Sequence, residues 1–419
     1  MITNDLQNTG GQNAKIQPLI LILCALLVTG FLGDVLSHER SGSQVFINRD
    51  LRAVFQLISL SILAFYFITS FRIKNKFANE IAILWFSPYL YMALIALFRG
   101  QLVDSSAEMA RYTILFFSFY AGASIGKIRS MRPLFFVALF IVNIGIVLYF
   151  FGSGSVNLNS AQRATGALAS PMGFAMFASI VAIGLCVIQK RMSPVIFLLV
   201  FGCLVALVLT AARSILVLTL IFITLILFKL KINKTTQIAV LFTLSILIYA
   251  SYQLGFLDRF GLSGLNDSSS TFRSTIFSVV TSETDLGVVI FGVGLGGFSE
   301  WFLDRTAISG VAPHAEIFKY IIEAGYLGSA LKLACSMIAF HSIIKNTKGT
   351  PYSISVICIL FFSFDVIYQF ANPGYFYFSG AILLALLGAY CGEVGSSSAG
   401  RVALVPPSSR IVRASVNPR

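Results

Sequence analysis

Charged side chains are scarce in this chain. They make up 11% of its 419 residues, against about 25% in an average soluble domain. Acidic residues number only 17, and the apolar fraction reaches 57%. This composition excludes an ordinary water-soluble domain and indicates a polytopic helical membrane protein.

Patterns typical of several other protein classes are also missing. The six cysteines all lie in apolar runs, and none has the spacing of a metal site or points to a disulfide framework. The glycine-rich segment Gly292–Gly297 lacks the lysine of a nucleotide-binding P-loop. Gly261-Leu262-Ser263-Gly264 matches a serine-protease string, but it lies in a polar loop instead of an apolar helix. Nucleotide binding and intramembrane proteolysis are therefore both disfavoured.

Long apolar runs dominate what is present. A membrane-spanning helix needs roughly 20 apolar residues, and the sequence predicts about twelve such helices. The runs are 18–36, 53–71, 81–98, 112–126, 134–151, 168–188, 193–210, 214–230, 237–256, 327–344, 352–370 and 374–391. The predicted fold class is thus an all-α polytopic membrane protein with about 12 transmembrane helices.

Basic residues predict how the chain is oriented. If the N-terminus is cytoplasmic, eighteen of the 30 basic residues fall in the tails and short inner connections. Lysine and arginine accumulate in cytoplasmic loops, so both termini are predicted to be cytoplasmic. The net charge of +13 comes largely from these loop and tail residues. We therefore expect no nucleic acid as a partner.

Three regions follow from these spans. Residues 1–15 are predicted to be a cytoplasmic tail, and residues 16–391 a polytopic membrane domain. This domain includes a large outer loop at 257–314, between the ninth and tenth helices. Residues 392–419, rich in Ser, Pro and Gly, are predicted to be a disordered cytoplasmic tail.

Arginines on the predicted outer side are few, so each is informative. Arg213 lies between two apolar runs at the membrane boundary, Arg163 precedes Gly166 and Pro171, and Arg273 opens a short helical run. Guanidinium groups bind phosphate oxygens in bidentate fashion and stay charged. Arginines near the surface would therefore suit a lipid-linked pyrophosphate. The alternative for Arg213 is a plain headgroup anchor.

His314 lies in the longest polar stretch late in the chain. It follows Pro313 and begins an amphipathic run that contains Glu316 and Glu323. A histidine with a near-neutral pKa can act as a general base. The alternative is a hydrogen-bonded polar residue without a catalytic role.

The order of these features resembles the O-antigen ligase and O-antigen or exopolysaccharide polymerase superfamily. The features are Arg273, then Gly292-Val293-Gly294 with Phe298, then His314, then Glu323-Ala324-Gly325-Tyr326-Leu327-Gly328. Arg163 with Gly166 and Pro171, and Ala212-Arg213-Ser214, resemble two earlier family segments. Ala315, Met172 and Ala212 depart from the family pattern, without removing a charged group.

This resemblance implies a GT-C-like glycosyltransferase fold and inverting, metal-independent transfer on the outer face of a bacterial inner membrane. The implied donor is a glycan on undecaprenyl pyrophosphate, and no cofactor is expected. Arg213 and Arg273 would hold the pyrophosphate, and His314 would accept the proton of the acceptor hydroxyl. Substrate contacts are also expected at four residues: Arg163, Gly294, Glu316 and Glu323.

The acceptor decides between two related activities. A polymerase joins lipid-linked repeat units to each other, whereas a ligase transfers the glycan to lipid A core. We favour the polymerase, whose other partners would be membrane lipids and, as a further candidate, a chain-length regulator. A polysaccharide flippase is an alternative of another class. A metal-dependent glycosyltransferase using Asp34 or Glu39 is a third, and Glu283-Thr284-Asp285 is the nearest approach to an outer Asp-x-Asp motif.

Overall fold

A computed structural model describes most of the predicted membrane domain. The described residues are 18–32, 38–41, 44–47, 49–70, 75–101, 105–152, 155–158, 161–166, 168, 171–188, 193–210, 212–229, 268–306, 316–347 and 377–403. His314, Asp34 and the predicted runs at 237–256 and 352–370 lie outside them.

The described part of the chain is a bundle of thirteen α-helices. They are α1 (Pro18–Leu32), α2 (Arg49–Ser70), α3 (Lys76–Phe98), α4 (Ser106–Ile125), α5 (Arg132–Phe150), α6 (Pro171–Ile188), α7 (Pro194–Thr210), α8 (Arg213–Lys229), α9 (Ser268–Thr281), α10 (Leu286–Phe291), α11 (Phe298–Thr306), α12 (Glu316–Thr347) and α13 (Tyr377–Ala403). A 3-10 turn, Ile128–Met131, leads into α5. Every predicted run inside the described residues coincides with a helix.

The length and composition of its helices identify the chain as a helical membrane protein. Among the described residues, four segments are long and apolar enough to cross a membrane: Lys76–Phe98, Ile128–Phe150, Pro171–Ile188 and Ile317–Asn346. Shorter apolar helices accompany them. Large apolar side chains on the outside of the bundle, such as Phe65 at 72% and Phe140 at 66% exposure, suit contact with lipid better than with water.

Two antiparallel hairpins interrupt the helical pattern. Strands β1 (His38–Ser41) and β2 (Gln44–Ile47) pair between α1 and α2. Strands β3 (Ser155–Leu158) and β4 (Ala161–Ala164) pair between α5 and α6, with Val156 opposite Arg163. Both hairpins lie in connections that the spans predict to be on the outer side.

Polar contacts define the two ends of the bundle. At one end, the Asn75 side chain caps α3 and donates to the Cys391 carbonyl at 3.0 Å. The Glu393 carboxylate accepts from the Ile128 amide there at 3.1 Å. We call this the Asn75 end. The opposite end carries Gly292–Gly297, and we call it the glycine-turn end.

Helices α4 and α13 pack against each other through small residues. A side chain at Gly392 would come within 2.7 Å of the Gly126 Cα, and Gly126 ends α4 with φ 60°. Small residues let helix backbones approach closely in membranes. Helix α13 continues past residue 391, the predicted start of the tail, to Ala403. Glu393 and the buried Val394 therefore belong to the bundle.

The predicted outer loop contains a small folded unit. Helices α9, α10 and α11 pack on the start of α12 around an apolar core of their own. That core consists of Ile276, Val288, Val293, Phe298, Trp301, Phe302 and Ile322. No single helix has a long apolar run, because α9, α10 and α12 contribute one residue each to this core and α11 contributes three.

Candidate functional site

The glycine turn, Gly292–Gly297, is wedged between α12 and α3. On the α12 side, the Val293 amide donates to the Ile322 carbonyl at 2.8 Å, and the Gly294 amide donates to the Glu323 carbonyl at 2.9 Å. These carbonyls lie just before Gly325, where non-helical backbone angles interrupt α12. The turn therefore supplies donors to carbonyls at a helix end that would otherwise lack partners.

On the α3 side, the turn is bound equally closely. The Leu295 amide donates to the Met92 carbonyl at 3.1 Å, and the Ser105 hydroxyl donates to the Leu295 carbonyl at 2.5 Å. A side chain on Gly294, whose φ is +95°, would come within 2.6 Å of the Ala96 amide nitrogen. Gly294, predicted to contact substrate, thus packs against α3, and its amide already has an acceptor in the protein.

Glu323, another predicted substrate contact, lies beneath this turn with 3% exposure. Its carboxylate accepts from the amide of Phe298, the first residue of α11, at 3.5 Å. It also lies 3.9 Å from the Lys319 ammonium. A carboxylate at a helix N-terminus is stabilised by the helix dipole. The described contacts of Glu323 therefore join α11 to α12.

Four charged side chains form a row between α4 and α12. Glu108 pairs with Arg111 at 2.8 Å and with Lys319 at 3.4 Å, and Lys319 also pairs with Glu323. Burial raises the pKa of the Glu108 carboxyl, but Lys319 and Arg111 outweigh this effect, so the pKa lies below its ordinary value. Glu108 is therefore charged at neutral pH and connects the two helices.

Arg273 lies inside α9, not at its start, because the helix begins at Ser268. One turn after Arg273, Phe277 packs on Phe318 of α12 with ring centroids 5.8 Å apart. The fold thus packs α9, the helix that carries Arg273, against the first turns of α12, where Glu316 is the first helical residue. His314, two residues before Glu316, lies outside the described residues.

Arg163 and Arg213 lie at the ends of a second group of helices, α5 to α8. Arg163 is on β4, which contacts α5, α6 and α7. Arg213 begins α8, directly after the end of α7 at Thr210. Phe174 of α6 and Gly145 of α5 are in contact next to Gly166. Both arginines therefore belong to the end of α5–α8 that is remote from Ile128 and the Asn75 end.

Lys332, the one charged residue in the apolar run 327–344, is a functional candidate that the motifs of the sequence did not indicate. Lys332 is 8% exposed, and its ammonium donates to the Tyr89 hydroxyl at 2.6 Å. Charged residues inside membrane spans are costly and are often functional. The isolated charge in an apolar run was the signal that could have identified it.

Glu283 has a structural set of partners. Its side chain is 5% exposed and pairs with Arg305 at 2.5 Å, and it accepts from the Trp301 indole at 2.6 Å. Burial raises the pKa of the Glu283 carboxyl, but hydrogen bonds from the Asp285 amide and Trp301, with the charge of Arg305, lower it further than burial raises it. Glu283 therefore holds α11 to the end of α9.

The described residues contain no group of three or more His, Cys, Asp or Glu side chains that could hold a metal ion. Comparison with protein-family models finds no family that matches the chain. Comparison with curated proteins finds no match either.

Proposed function

We propose that the chain is an inverting, metal-independent polysaccharide polymerase with twelve transmembrane helices. It would join undecaprenyl-pyrophosphate-linked repeat units on the periplasmic face of a bacterial inner membrane. One observation carries this proposal: residues far apart in sequence and bearing the expected chemistry belong to the same end of the bundle. They are Arg163, Arg213, Arg273, the glycine turn and the start of α12.

The directions of the helices support placing these residues at one end of the bundle. Helices α5 and α6 are antiparallel, because Gly145 contacts Phe174 while Phe135 contacts Gly184. Arg132, at the start of α5, directly follows the Ile128–Met131 turn at the Asn75 end. A helix of this length spans about 28 Å, so the β3–β4 hairpin lies at the opposite end. The last turns of α12, with Lys345, belong to the Asn75 end, because Ser342 donates to Glu80 near the start of α3 at 2.9 Å. The start of α12 therefore lies at the opposite end.

The reaction assigns a step to each group. The acceptor hydroxyl oxygen attacks the anomeric carbon of the donor, and the bond from that carbon to the pyrophosphate oxygen breaks. The hydroxyl proton moves to the His314 imidazole. The negative charge on the leaving pyrophosphate is stabilised by Arg213 and Arg273, because preorganised cations act where charge develops. Attack opposite the leaving group inverts the anomeric carbon.

Charge distribution disfavours transport as the main activity. The described row of Glu108, Arg111, Lys319 and Glu323 lies at the glycine-turn end and is internally paired. Transporters instead place substrate sites near the bilayer midplane, on broken helices. The break in α12 at Gly325 is filled by the glycine turn.

Purified protein in liposomes tests the proposal. It is supplied with an undecaprenyl-pyrophosphate-linked repeat unit, with and without lipid A core, and the products are separated on a gel. A ladder of regular spacing means polymerase, and a single shift that requires lipid A core means ligase. No product from any lipid-linked glycan overturns both. His314→Ala is the inactive variant, and His341→Ala, exposed near the end of α12, is its matched control.

A further inference from the structure

Helix α12 consists of two segments that meet at Gly325, where φ is 64° and ψ is −177°. We call residues 316–324 the arm. The arm lies at the glycine-turn end, and the longer segment after Gly325 runs to the Asn75 end. In the sequence, His314 precedes the arm by two residues.

Lys332 belongs to the segment after the break, but its ammonium contacts the arm. The ammonium lies 5.6 Å from the ring centroid of Tyr320, an arm residue. It lies 4.4 Å from the ring of Tyr89 and 5.2 Å from that of Trp85, both on α3. The Lys332 ammonium therefore connects the arm to α3 and to the segment of α12 that follows Gly325.

The aromatic rings around Lys332 also contact one another. Tyr89 meets the Tyr320 ring edge-on, with centroids 6.3 Å apart and an interplanar angle of 86°. Tyr89 also stacks on Tyr112 of α4, at 4.0 Å and 26°. The cluster thus extends from α4 through α3 to the arm.

The energy of the buried ammonium depends on where the arm lies. A cation within a membrane span is costly, and aromatic faces stabilise it most strongly when water is excluded. Tyr320 is 7% exposed and supplies one of these faces. If the arm moved away from α3, the ammonium would lose that face.

The other attachments of the arm are of different kinds. Backbone hydrogen bonds from the glycine turn reach its last residues, Ile322 and Glu323. Lys319 reaches Glu108 at 3.4 Å, with side chains 16% and 20% exposed, and this ion pair joins the arm to α4. Lys332, together with the Tyr89 ring, is therefore a buried contact that ties the middle of the arm to α3.

We propose that Lys332 is a positioning residue that holds the arm against α3. Any effect of Lys332 on the reaction through His314 rests on the proposed function. The position of the arm itself does not rest on that function. Lys332 acts through Tyr320 and Tyr89 and touches no reacting group in this scheme.

Hydrogen exchange of the full-length protein in detergent, followed by mass spectrometry, measures the position of the arm directly. In Lys332→Met, arm amides should exchange at least about ten-fold faster than in wild type, because a desolvated cation–π contact is lost. Lys332→Arg keeps a cation and should restore wild-type exchange. Lys345→Met is the matched control, since Lys345 is an exposed lysine on the same helix, and it should leave the arm unchanged.

A second variant keeps the test decisive if Lys332→Met does not fold. Tyr320→Leu removes the ring and keeps the lysine, and it should also speed exchange in the arm alone. Unchanged arm exchange in either folded variant overturns the proposal. Equal acceleration in the arm and in the buried helix α6 also overturns it, because Lys332 would then be general core packing. Failure of wild-type protein to polymerise would refute the proposed function and leave this result intact.

Discussion

Gly292 and Gly325 cross so closely that neither has room for a side chain. A Cβ on Gly325 would lie 2.5 Å from the Gly292 amide nitrogen, and one on Gly292 would lie 2.6 Å from the Gly325 amide nitrogen. Both residues have positive φ, +85° and +64°, a region that residues with a Cβ rarely adopt. This crossing fixes the glycine turn to the break in α12.

Gly325→Ala should therefore destabilise the folded protein strongly. The backbone angles of Gly325, φ 64° and ψ −177°, lie in a region that is essentially restricted to glycine and costs other residues roughly 1–3 kcal/mol, and the steric clash adds about 1–3 kcal/mol. Gly152→Ala is the matched control, because Gly152 has φ +75° with open space around it. Thermal unfolding in detergent should show a clearly larger decrease in Tm for Gly325→Ala. Equal decreases in Tm for the two variants would mean that the surrounding atoms relieve the clash without a loss of stability.

Glu283 should make the stability of the helical unit formed by α9, α10 and α11 depend on pH. Its folded pKa is lowered, so its contribution is fully present above the ordinary glutamate pKa of about 4.3. The contribution is lost as pH falls from that value through the lower folded pKa. Trp301 fluorescence, which reports on the Glu283 contact, should therefore be constant near neutral pH and change under acid conditions.

Glu283→Gln should weaken this unit at pH 7 and flatten its acid response, because the variant cannot titrate. Asp304→Asn is the control, since Asp304 is exposed on α11. Hydrogen exchange of residues 283–306 at neutral and acid pH measures both variants. An acid response as large in Glu283→Gln as in wild type would assign it to other carboxyls.

Arg273→Lys should impair turnover although the positive charge is kept. A lysine cannot make the bidentate contact that a guanidinium makes with phosphate oxygens. We expect kcat/KM to fall about ten-fold or more, equivalent to the loss of roughly 1.4 kcal/mol of transition-state stabilisation. Initial rates of repeat-unit joining in liposomes provide the measurement. Wild-type rates in this variant would contradict the role given to Arg273.

His314→Ala should leave the protein folded and inserted but inactive. Loss of a general base typically lowers the rate by about 10²–10⁴-fold. Size-exclusion profiles and thermal unfolding of the variant should match wild type. If the variant instead fails to insert or fold, His314 has a structural role and another group must accept the proton.

Much of the fold is determined locally and was predictable from sequence. Hydropathy is summed over consecutive residues, so α5, α6 and α7 were predicted within a few residues of their observed bounds. Helix α8 begins at Arg213, as the charge between two apolar runs indicated. The end of α13 was predicted less well, because Glu393 and Val394 are held by contacts with residues far away in sequence.

Only the tertiary structure decided how the glycine motifs are used. The sequence shows Gly292-Val293-Gly294 and Glu323-Ala324-Gly325 as separate strings, and neither predicts that their backbones cross. Lys332 and Tyr89 are 243 positions apart, so their hydrogen bond depends on how α3 packs against α12. Composition and periodicity determine which segments become helices in a membrane. The pairing of buried charges and the close approach of glycines arise only when those helices pack, because they depend on atoms from distant parts of the chain.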